Sequence, residues 1–158
     1  MRIETARLIL RPFHPADLDR MTELFADPLF MRFSLGPKTP AESRALLERW
    51  VAAPNENAFA PFAVIERASD QLIGYCGFLP QEIDGVNEIE IGYRLDSRFW
   101  NRGYASEAAQ AVRDHAFGDL QLDRVISLII RRITPRDGWR RKMACTSRKR
   151  QRFEVSRR

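Results

Sequence analysis

The 158-residue sequence is short of the features that mark several protein classes. Its two cysteines, Cys76 and Cys145, lie far apart without the spacing of a metal or redox motif, so neither a disulfide framework nor a metal site is expected. No run of about 18 apolar residues occurs, and Met1–Glu4 lack the apolar stretch of a signal peptide. These absences predict a cytoplasmic protein that does not contact a membrane.

What is present is enough apolar sequence, 44% of residues, to bury the core of one domain. The charge is unevenly distributed. Residues 1–130 hold 14 Lys and Arg against 19 Asp and Glu, a net charge of −5, whereas residues 131–158 hold 12 against 2, a net charge of +10. An acidic body suits an enzyme that meets a basic partner, and a basic tail suits a nucleic-acid-binding arm, so both interpretations are open.

Hydrophobic periodicity predicts the element order β-α-α-β-β-β-α-β. A first strand occupies Ile3–Arg11, two helices follow, and three hairpin-joined strands lie between Phe62 and Leu95. Ser106–Phe117 is predicted to be a helix and Val125–Ile130 a buried strand. Hairpins followed by a strand-helix-strand crossover imply an α+β (α/β) fold with a mixed, mostly antiparallel central sheet, flanked by helices and containing one parallel pair.

The junction before the last predicted helix has the composition of a pyrophosphate-binding turn. Such a turn needs converging backbone N–H groups, no bulky side chain beside the phosphate, and a helix N-terminus that faces it. Gly103 permits close approach, Ala105 is small, and Arg102 supplies positive charge. An ordinary capped helix, with Ser106 or Asn101 satisfying the free N–H groups, explains the same residues. Short glycine patterns are common, so spacing alone does not decide.

Three motifs, in order, resemble those of GNAT-superfamily N-acetyltransferases, in the branch that acetylates ribosomal-protein alanines. Thr5–Arg11 resembles T-x-R-L-x-L-R, Ile89–Leu95 resembles E-I-G-Y-x-L, and Trp100–Ala108 resembles W-G-x-G-[YI]-A-[ST]-E-A. The sequence departs at Asn101, where the branch usually has glycine. Because asparagine tolerates left-handed backbone, we expect the turn to survive. The resemblance implies the GNAT acyl-CoA N-acyltransferase fold.

The resemblance also implies direct transfer of an acetyl group from the co-substrate acetyl-CoA to a primary amine, with no covalent intermediate and no metal. The acceptor is a protein N-terminal α-amine or a small-molecule amine. Backbone of Tyr93, Arg94 and Leu95 would bind pantetheine where this strand and the Val125 strand splay apart. The pyrophosphate would lie against Trp100, Asn101, Arg102, Gly103, Tyr104, Ala105 and Ser106.

Glu90 is the candidate catalytic residue, because in the family a glutamate at this strand position often faces the substrate. The attacking amine must be neutral, and a carboxylate can accept its proton, through water if necessary. Glu88, on the same predicted face, is the alternate. Either side chain is equally consistent with a solvated charge on the strand surface. We expect His14 and His115 to be structural. Four apolar residues either line the acceptor site, as in the family, or pack as plain core: Phe30, Met31, Phe33 and Trp50.

The sequence changes character after Ile130. Residues 131–147 show neither a strand nor a helix period, where the resemblance leads us to expect P-E-N-x-x-S-x-x-x-x-E-K-x-G-M. If Arg131–Thr134 is encoded CGG AGA ATC ACG, the same bases read one position earlier, after a C, give Pro-Glu-Asn-His. Gly138–Cys145 likewise contains Ala-Glu-Lys-Asn-Gly-Met. We therefore hypothesise a one-base frameshift near codon 131.

The frameshift predicts a GNAT domain over residues 1–130 that is truncated at its C-terminus, and a basic, disordered, non-family tail over residues 131–158. Two alternatives remain open. The tail could bind RNA or ribosomes through its arginines and lysines, although we do not expect a nucleic-acid partner because such clusters also occur in solvated, disordered segments. The chain could also be an acyl-CoA-binding but catalytically impaired remnant. The oligomeric state, monomer or dimer, is open.

Overall fold

The structure, a computed structural model, describes residues 2–56 and 59–130, and the backbone alone of 141–147. Side chains of residues 55, 56, 129 and 130 also lie outside the description. Seven strands are described: β1 Ile3–Glu4, β2 Leu8–Arg11, β3 Pro61–Glu66, β4 Gln71–Ile83, β5 Val86–Leu95, β6 Arg124–Ile130 and β7 Arg141–Ser147. The α-helices are α1 Leu18–Ala26, α2 Pro40–Ala52 and α3 Tyr104–Gly118, and short 3-10 turns occupy Pro15–Asp17, Ala53–Glu56 and Ser97–Phe99.

The strands form one sheet whose spatial order follows the chain, from β1 to β7. Every neighbouring pair is antiparallel except β5 and β6, which are parallel and are connected through α3. This confirms the predicted mixed, mostly antiparallel sheet with one parallel pair at the crossover. The predicted order of helices and strands between residues 18 and 130 is also confirmed.

The single first strand predicted over Ile3–Arg11 is wrong, because the chain reverses at Thr5. The Thr5 N–H donates to the Leu8 carbonyl at 3.0 Å, and the Leu8 N–H donates to Thr5 Oγ1 at 2.9 Å. β1 and β2 therefore pair with each other, Ile3 opposite Leu10. A threonine hydroxyl that bonds its own backbone competes with the strand ladder, and the apolar alternation alone does not reveal that competition.

Apolar side chains fill both faces of the sheet. On one face, α3 packs its Ala108, Ala109 and Val112 against strand residues such as Leu8 and Ile91. On the other face, α1, α2 and the segment between them pack against β3 and β4. That second core comprises Phe13, Met21, Leu24, Phe25, Phe30, Met31, Leu47, Ala63, Ile65, Leu72 and Tyr75. Two separate cores place helices on both sides of the strands that carry the candidate site.

Cys76 is fully buried in the core beneath α3, and burial raises the pKa of its thiol. A buried thiol with a raised pKa is a poor nucleophile. Across the residues that the structure describes, no helix is both long and apolar enough to cross a membrane.

Arg141–Ser147 forms a strand although its sequence shows no strand period. There the chain forms β7, antiparallel to β6, with Arg124 opposite Ser147 and Ile130 opposite Arg141. The edge strand of a sheet presents a row of unpaired backbone N–H and C=O groups. A neighbouring segment can form hydrogen bonds with these groups even when its own side chains do not alternate between apolar and polar. The remainder of 131–158 lies outside the described residues, and the division at Ile130 stays a prediction.

Candidate functional site

The turn between β5 and α3 uses left-handed backbone at two of its residues. Asn101 has a φ angle of 59° and Gly103 one of 80°. Glycine and asparagine are the residues that adopt this conformation at least cost, so the expectation that Asn101 can replace glycine here agrees with its backbone. A Cβ atom at Gly103 would lie 3.3 Å from Nη2 of Arg7, a side chain packed under the turn.

The first turn of α3 has N–H groups that its own chain does not cap. Gly103 is the N-cap residue and makes no side-chain cap bond, and the first helical bond of the turn runs from the Glu107 N–H to the Gly103 carbonyl at 3.0 Å. The amides of Tyr104, Ala105 and Ser106 precede that bond, so they point out of the helix end, where the helix dipole is positive. An ordinary capped helix, the alternative for this segment, is not what the structure contains.

Glu107 ties the turn to the start of the chain. Its carboxylate accepts hydrogen bonds from Thr5 Oγ1 at 2.6 Å, the Arg7 backbone N–H at 2.9 Å and Arg7 Nε at 2.7 Å. Arg7 Nη1 also donates to the Arg102 carbonyl at 2.8 Å, and its guanidinium lies 4.5 Å from the centre of the Tyr104 ring. The first and third sequence motifs therefore meet in space, 100 residues apart in the chain.

The aromatic side chains of the turn point inward. The Tyr104 hydroxyl donates to Glu66 Oε1 at 2.6 Å, while Ser69 Oγ donates to the other oxygen of Glu66. The hydrogen bonds from Ser69 and Tyr104 lower the pKa of Glu66, and the bond to Glu66 raises the pKa of Tyr104. Trp100 Nε1 donates to the Leu95 carbonyl at 2.7 Å. Both rings act as supports, and the outer surface of the turn is left to Asn101, Arg102 and Gly103, which are exposed.

The parallel strands β5 and β6 separate beside this turn. Their register pairs Glu90 with Ile126, and within residues 59–130 no further pair between them is recorded. Beyond Glu90, β5 continues to pair with β4, where Tyr93 lies opposite Cys76 and Leu95 opposite Gly74. The edge of β5 from Tyr93 to Leu95 that faces away from β4 thus makes no strand pair within residues 59–130, and we call this region the opening between β5 and β6.

Glu90 lies at the point where the strands separate, and it is 8% exposed. Gln81 Nε2 donates to its Oε2 at 2.9 Å, and the Leu128 N–H of β6 approaches its Oε1 at 3.4 Å. The alternative that Glu90 is a solvated surface charge is therefore wrong. Glu88, the alternate residue, forms an ion pair of 2.8 Å with Arg124.

Asp96 is a residue of the site region that the sequence analysis missed. It is 4% exposed, follows β5 directly, and caps the 3-10 turn at Ser97–Phe99, which leads into the turn before α3. Arg20 of α1 and Arg98 contact its carboxylate at 2.5 Å and 2.6 Å. Burial opposes the ionised form, but hydrogen bonds from Arg98 and Arg20 outweigh it and lower the pKa of Asp96 to about 2. The capping position was the one local signal in the sequence.

The histidines and the candidate acceptor residues lie in distinct surroundings. His14 caps the first 3-10 turn, and buried His115 contacts Asp119 at 2.6 Å near the far end of α3, so neither adjoins the turn between β5 and α3.

The candidate acceptor residues differ in burial. Phe30 and Met31 are 3% and 2% exposed and belong to the core under α1 and α2. Trp50 packs against Tyr75 in a tilted arrangement, with ring centres 5.0 Å apart, whereas Phe33 is 56% exposed. Residues 2–56 and 59–130 contain no group of three potential metal ligands.

Comparison with known proteins finds an acetyltransferase (GNAT) domain family whose model matches residues 7–136. The chain is 32% identical over 134 residues to the uncharacterized N-acetyltransferase p20 of Bacillus licheniformis, covering 83% of this chain and 74% of that protein. A crystal structure of a GNAT-family acetyltransferase from Bacillus anthracis has 30% identity and a TM-score of 0.67, with coverages of 82% and 74%. RimL, a ribosomal L7/L12 α-N-protein acetyltransferase solved with coenzyme A, shares the fold at 18% identity and a TM-score of 0.68, with coverages of 82% and 75%.

Proposed function

Because the chain belongs to the GNAT family of acetyltransferases and is an acyltransferase, we propose that it moves the acetyl group of acetyl-CoA directly to a primary amine in a ternary complex. One observation carries this proposal: the uncapped N-terminus of α3, behind the left-handed Asn101 and Gly103, adjoins the opening between β5 and β6. An anion-binding helix end beside a strand edge fits a molecule with a pyrophosphate at one end and an amide-rich arm at the other.

In this proposal the amides of residues 100–106 hold the pyrophosphate, and the exposed Arg102 adds positive charge. The free edge of β5, at Tyr93, Arg94 and Leu95, accepts the pantetheine arm as a strand accepts a neighbour. The Leu95 carbonyl already accepts from Trp100, so the pantetheine bonds fall on the remaining groups of that edge. The acetyl group then lies near Glu90, where the two strands meet.

Glu90 is the proposed proton acceptor. The amine nitrogen attacks the thioester carbonyl, a C–N bond forms and the C–S bond breaks, and the amine proton passes to Glu90 directly or through water. That proton returns to the leaving thiolate, so the products are the acetylated amine and the free thiol of CoA. Holding both substrates in reach lowers the entropic part of the barrier, and a backbone N–H aimed at the thioester oxygen stabilises the oxyanion.

Binding and transfer are tested separately, because an acyl-CoA-binding protein without activity is the alternative. Calorimetry measures CoA affinity, and release of free thiol from acetyl-CoA in the presence of amines measures transfer. Gly103→Val should weaken CoA binding by about tenfold or more, because a β-branched residue is strained at a φ angle of 80° and its Cβ atom would press on Arg7 beneath the turn. Gly85→Val is the matched control, since Gly85 has a similar φ angle of 77° and a Cβ atom there meets nothing within 4 Å.

Equal CoA affinity in the two variants would contradict the assignment of the turn. Tight CoA binding without transfer to any amine would favour the binding-only alternative. The acceptor is proposed as a protein N-terminal α-amine or a small-molecule amine, and RimL, with its ribosomal-protein substrate, is one neighbour among several. We also propose a cytoplasmic location.

The frameshift near codon 131 belongs to the proposal as well. Two family-like segments arise in a single alternative frame and in the order that the family resemblance leads us to expect, which supports it. Sequencing the gene decides, because codons for Arg131–Thr134 that cannot yield Pro-Glu-Asn-His would end the idea. A protein with the frame restored should transfer acetyl faster than this one.

A further inference from the structure

Arg94 is a half-buried cation that has no carboxylate partner in the part of the chain that the structure describes. Its recorded side-chain contact is Nη1 at 3.1 Å from Sδ of Met31, and a thioether sulfur is a weak acceptor. A guanidinium has five N–H donors, so Arg94 keeps donors that no carboxylate of the described residues occupies. Other arginines do form ion pairs: Arg2, Arg7, Arg11, Arg20, Arg67, Arg98, Arg113 and Arg124.

Arg94 shares one face of β5 with Glu90 and Gly92, since side chains alternate along a strand. Gly92 places no side chain of its own between the two charged ones, and the Leu79 side chain of β4 lies against it. A Cβ atom there would lie 2.6 Å from Leu79 Cδ1 and 3.7 Å from Glu90 Oε1. We call Glu90, Gly92 and Arg94 the β5 strip. Its two charged ends are about 13 Å apart at their Cα atoms, at roughly 3.3 Å per residue.

The β5 strip faces α1, α2 and the segment between them, on the side of the sheet away from α3. Tyr75, which belongs to that core, lies opposite Arg94 in the β4–β5 register. Burial raises the pKa of Tyr75 to about 12, and the charge of Arg94 opposes this shift while that of Glu90 reinforces it. The charges of both ends of the strip therefore reach one buried hydroxyl, whereas the pyrophosphate turn belongs to the α3 side.

We propose that Arg94 selects amine acceptors that also carry an anionic group, with the amine at the Glu90 end of the β5 strip and the anion at the Arg94 end. This inference rests on the proposed acetyl transfer, because Glu90 marks where the amine reacts. A guanidinium with free donors binds carboxylate or phosphate in preference to neutral groups. At about 3.3–3.6 Å per extended residue, an acidic side chain at the second or third position of a peptide N-terminus spans the strip.

Peptide acetylation tests the inference. The substrates are tripeptide amides with glutamate, glutamine or lysine at the second position, together with an ω-amino carboxylic acid and its amide to distinguish a small acceptor. We expect the wild-type kcat/KM to favour each acid over its neutral amide by about tenfold, and the preference to fall with added salt. In Arg94→Gln the preference should disappear, and in Arg94→Glu it should turn toward lysine.

Arg44→Gln is the matched control. Arg44 is exposed on α2, and its replacement removes the same charge as Arg94→Gln. The preference of the Arg44→Gln protein for acidic acceptors should therefore equal that of the wild type. Anisotropy of a labelled glutamate peptide on the CoA-saturated protein gives a readout that needs no turnover, and Arg94→Gln should weaken it while Arg44→Gln should not. Equal handling of acidic and neutral acceptors, or an Arg94 effect confined to the acetyl-CoA KM, overturns the inference. Absence of transfer with intact anion-selective binding counts against the proposed function alone.

Discussion

Nη2 of Arg7 lies 2.6 Å from Oε2 of Glu107, and this pair joins the start of the sheet to the first turn of α3. Glu107 is on the helix that presents the candidate phosphate site, whereas Arg7 follows the chain reversal at Thr5. The pair therefore links an edge of the sheet to the N-terminus of α3 and helps to fix the orientation of that helix end. Its strength determines how firmly the turn at residues 100–103 is held.

Glu107→Gln should destabilise the fold by about 1–2 kcal/mol, because hydrogen bonds to a charged group exceed those to a neutral amide of the same size. CoA affinity should fall severalfold, because Arg7 also holds the Arg102 carbonyl of the turn. Urea unfolding and calorimetry with CoA measure the two effects. Glu48→Gln, on the exposed face of α2, is the control and should change neither. A fully stable Glu107→Gln protein would show that the pair does not hold the turn.

The lowered pKa of Asp96 predicts that the free energy of unfolding falls in acid. Its pKa in the folded protein is about 2, below the ordinary 3.8, so the ionised group stabilises the fold above about pH 4 and the stabilisation is lost as the pH falls toward 2. Asp96→Asn should cost about 1–2 kcal/mol at pH 7, a value discounted for solvent around the exposed Arg98. Urea unfolding at pH 7 and pH 3 measures it.

The difference between wild type and Asp96→Asn should shrink at pH 3. Asp114→Asn is the control, since Asp114 is an exposed partner of Arg113 and should matter little at either pH. If the Asp96→Asn difference is the same at both pH values, the carboxylate charge is not what stabilises this junction.

Local patterns in the sequence were sufficient for most elements and for the turn, because those depend on neighbours along the chain. The period of two along Ile89–Leu95 and the small residues after Trp100 are of this kind. The bonds that hold the site in place are different. Tyr104 bonds Glu66 across 38 positions and Arg20 bonds Asp96 across 76, and such pairs leave no periodic trace. β7 escaped prediction for a related reason, because its pairing depends on an edge that another strand supplies.

Glu90→Gln tests the proposed proton acceptor. Loss of general-base assistance should lower kcat by about a hundredfold near pH 7, and the deficit should narrow at higher pH as more of the amine is already neutral. The KM for acetyl-CoA should stay unchanged, because Glu90 is assigned to the amine. Glu88→Gln is the control, and its activity should be close to wild type because Glu88 pairs with Arg124. An unchanged pH profile in Glu90→Gln would remove Glu90 from catalysis.

Asn101 allows the backbone of the turn to be tested apart from its side chains. At a φ angle of 59° glycine fits without strain and asparagine fits well, whereas a β-branched residue pays at least about 1–2 kcal/mol. Asn101→Gly should therefore keep both stability and CoA affinity, and Asn101→Val should lose stability and bind CoA about tenfold more weakly. Asp84→Val provides the control, because Asp84 has a similar φ angle of 51° in the β4–β5 hairpin turn. Asp84→Val should lower stability by about as much as Asn101→Val does and leave CoA affinity intact. If both valine variants weaken CoA binding equally, the loss reflects general unfolding, and the left-handed turn is not the determinant of binding.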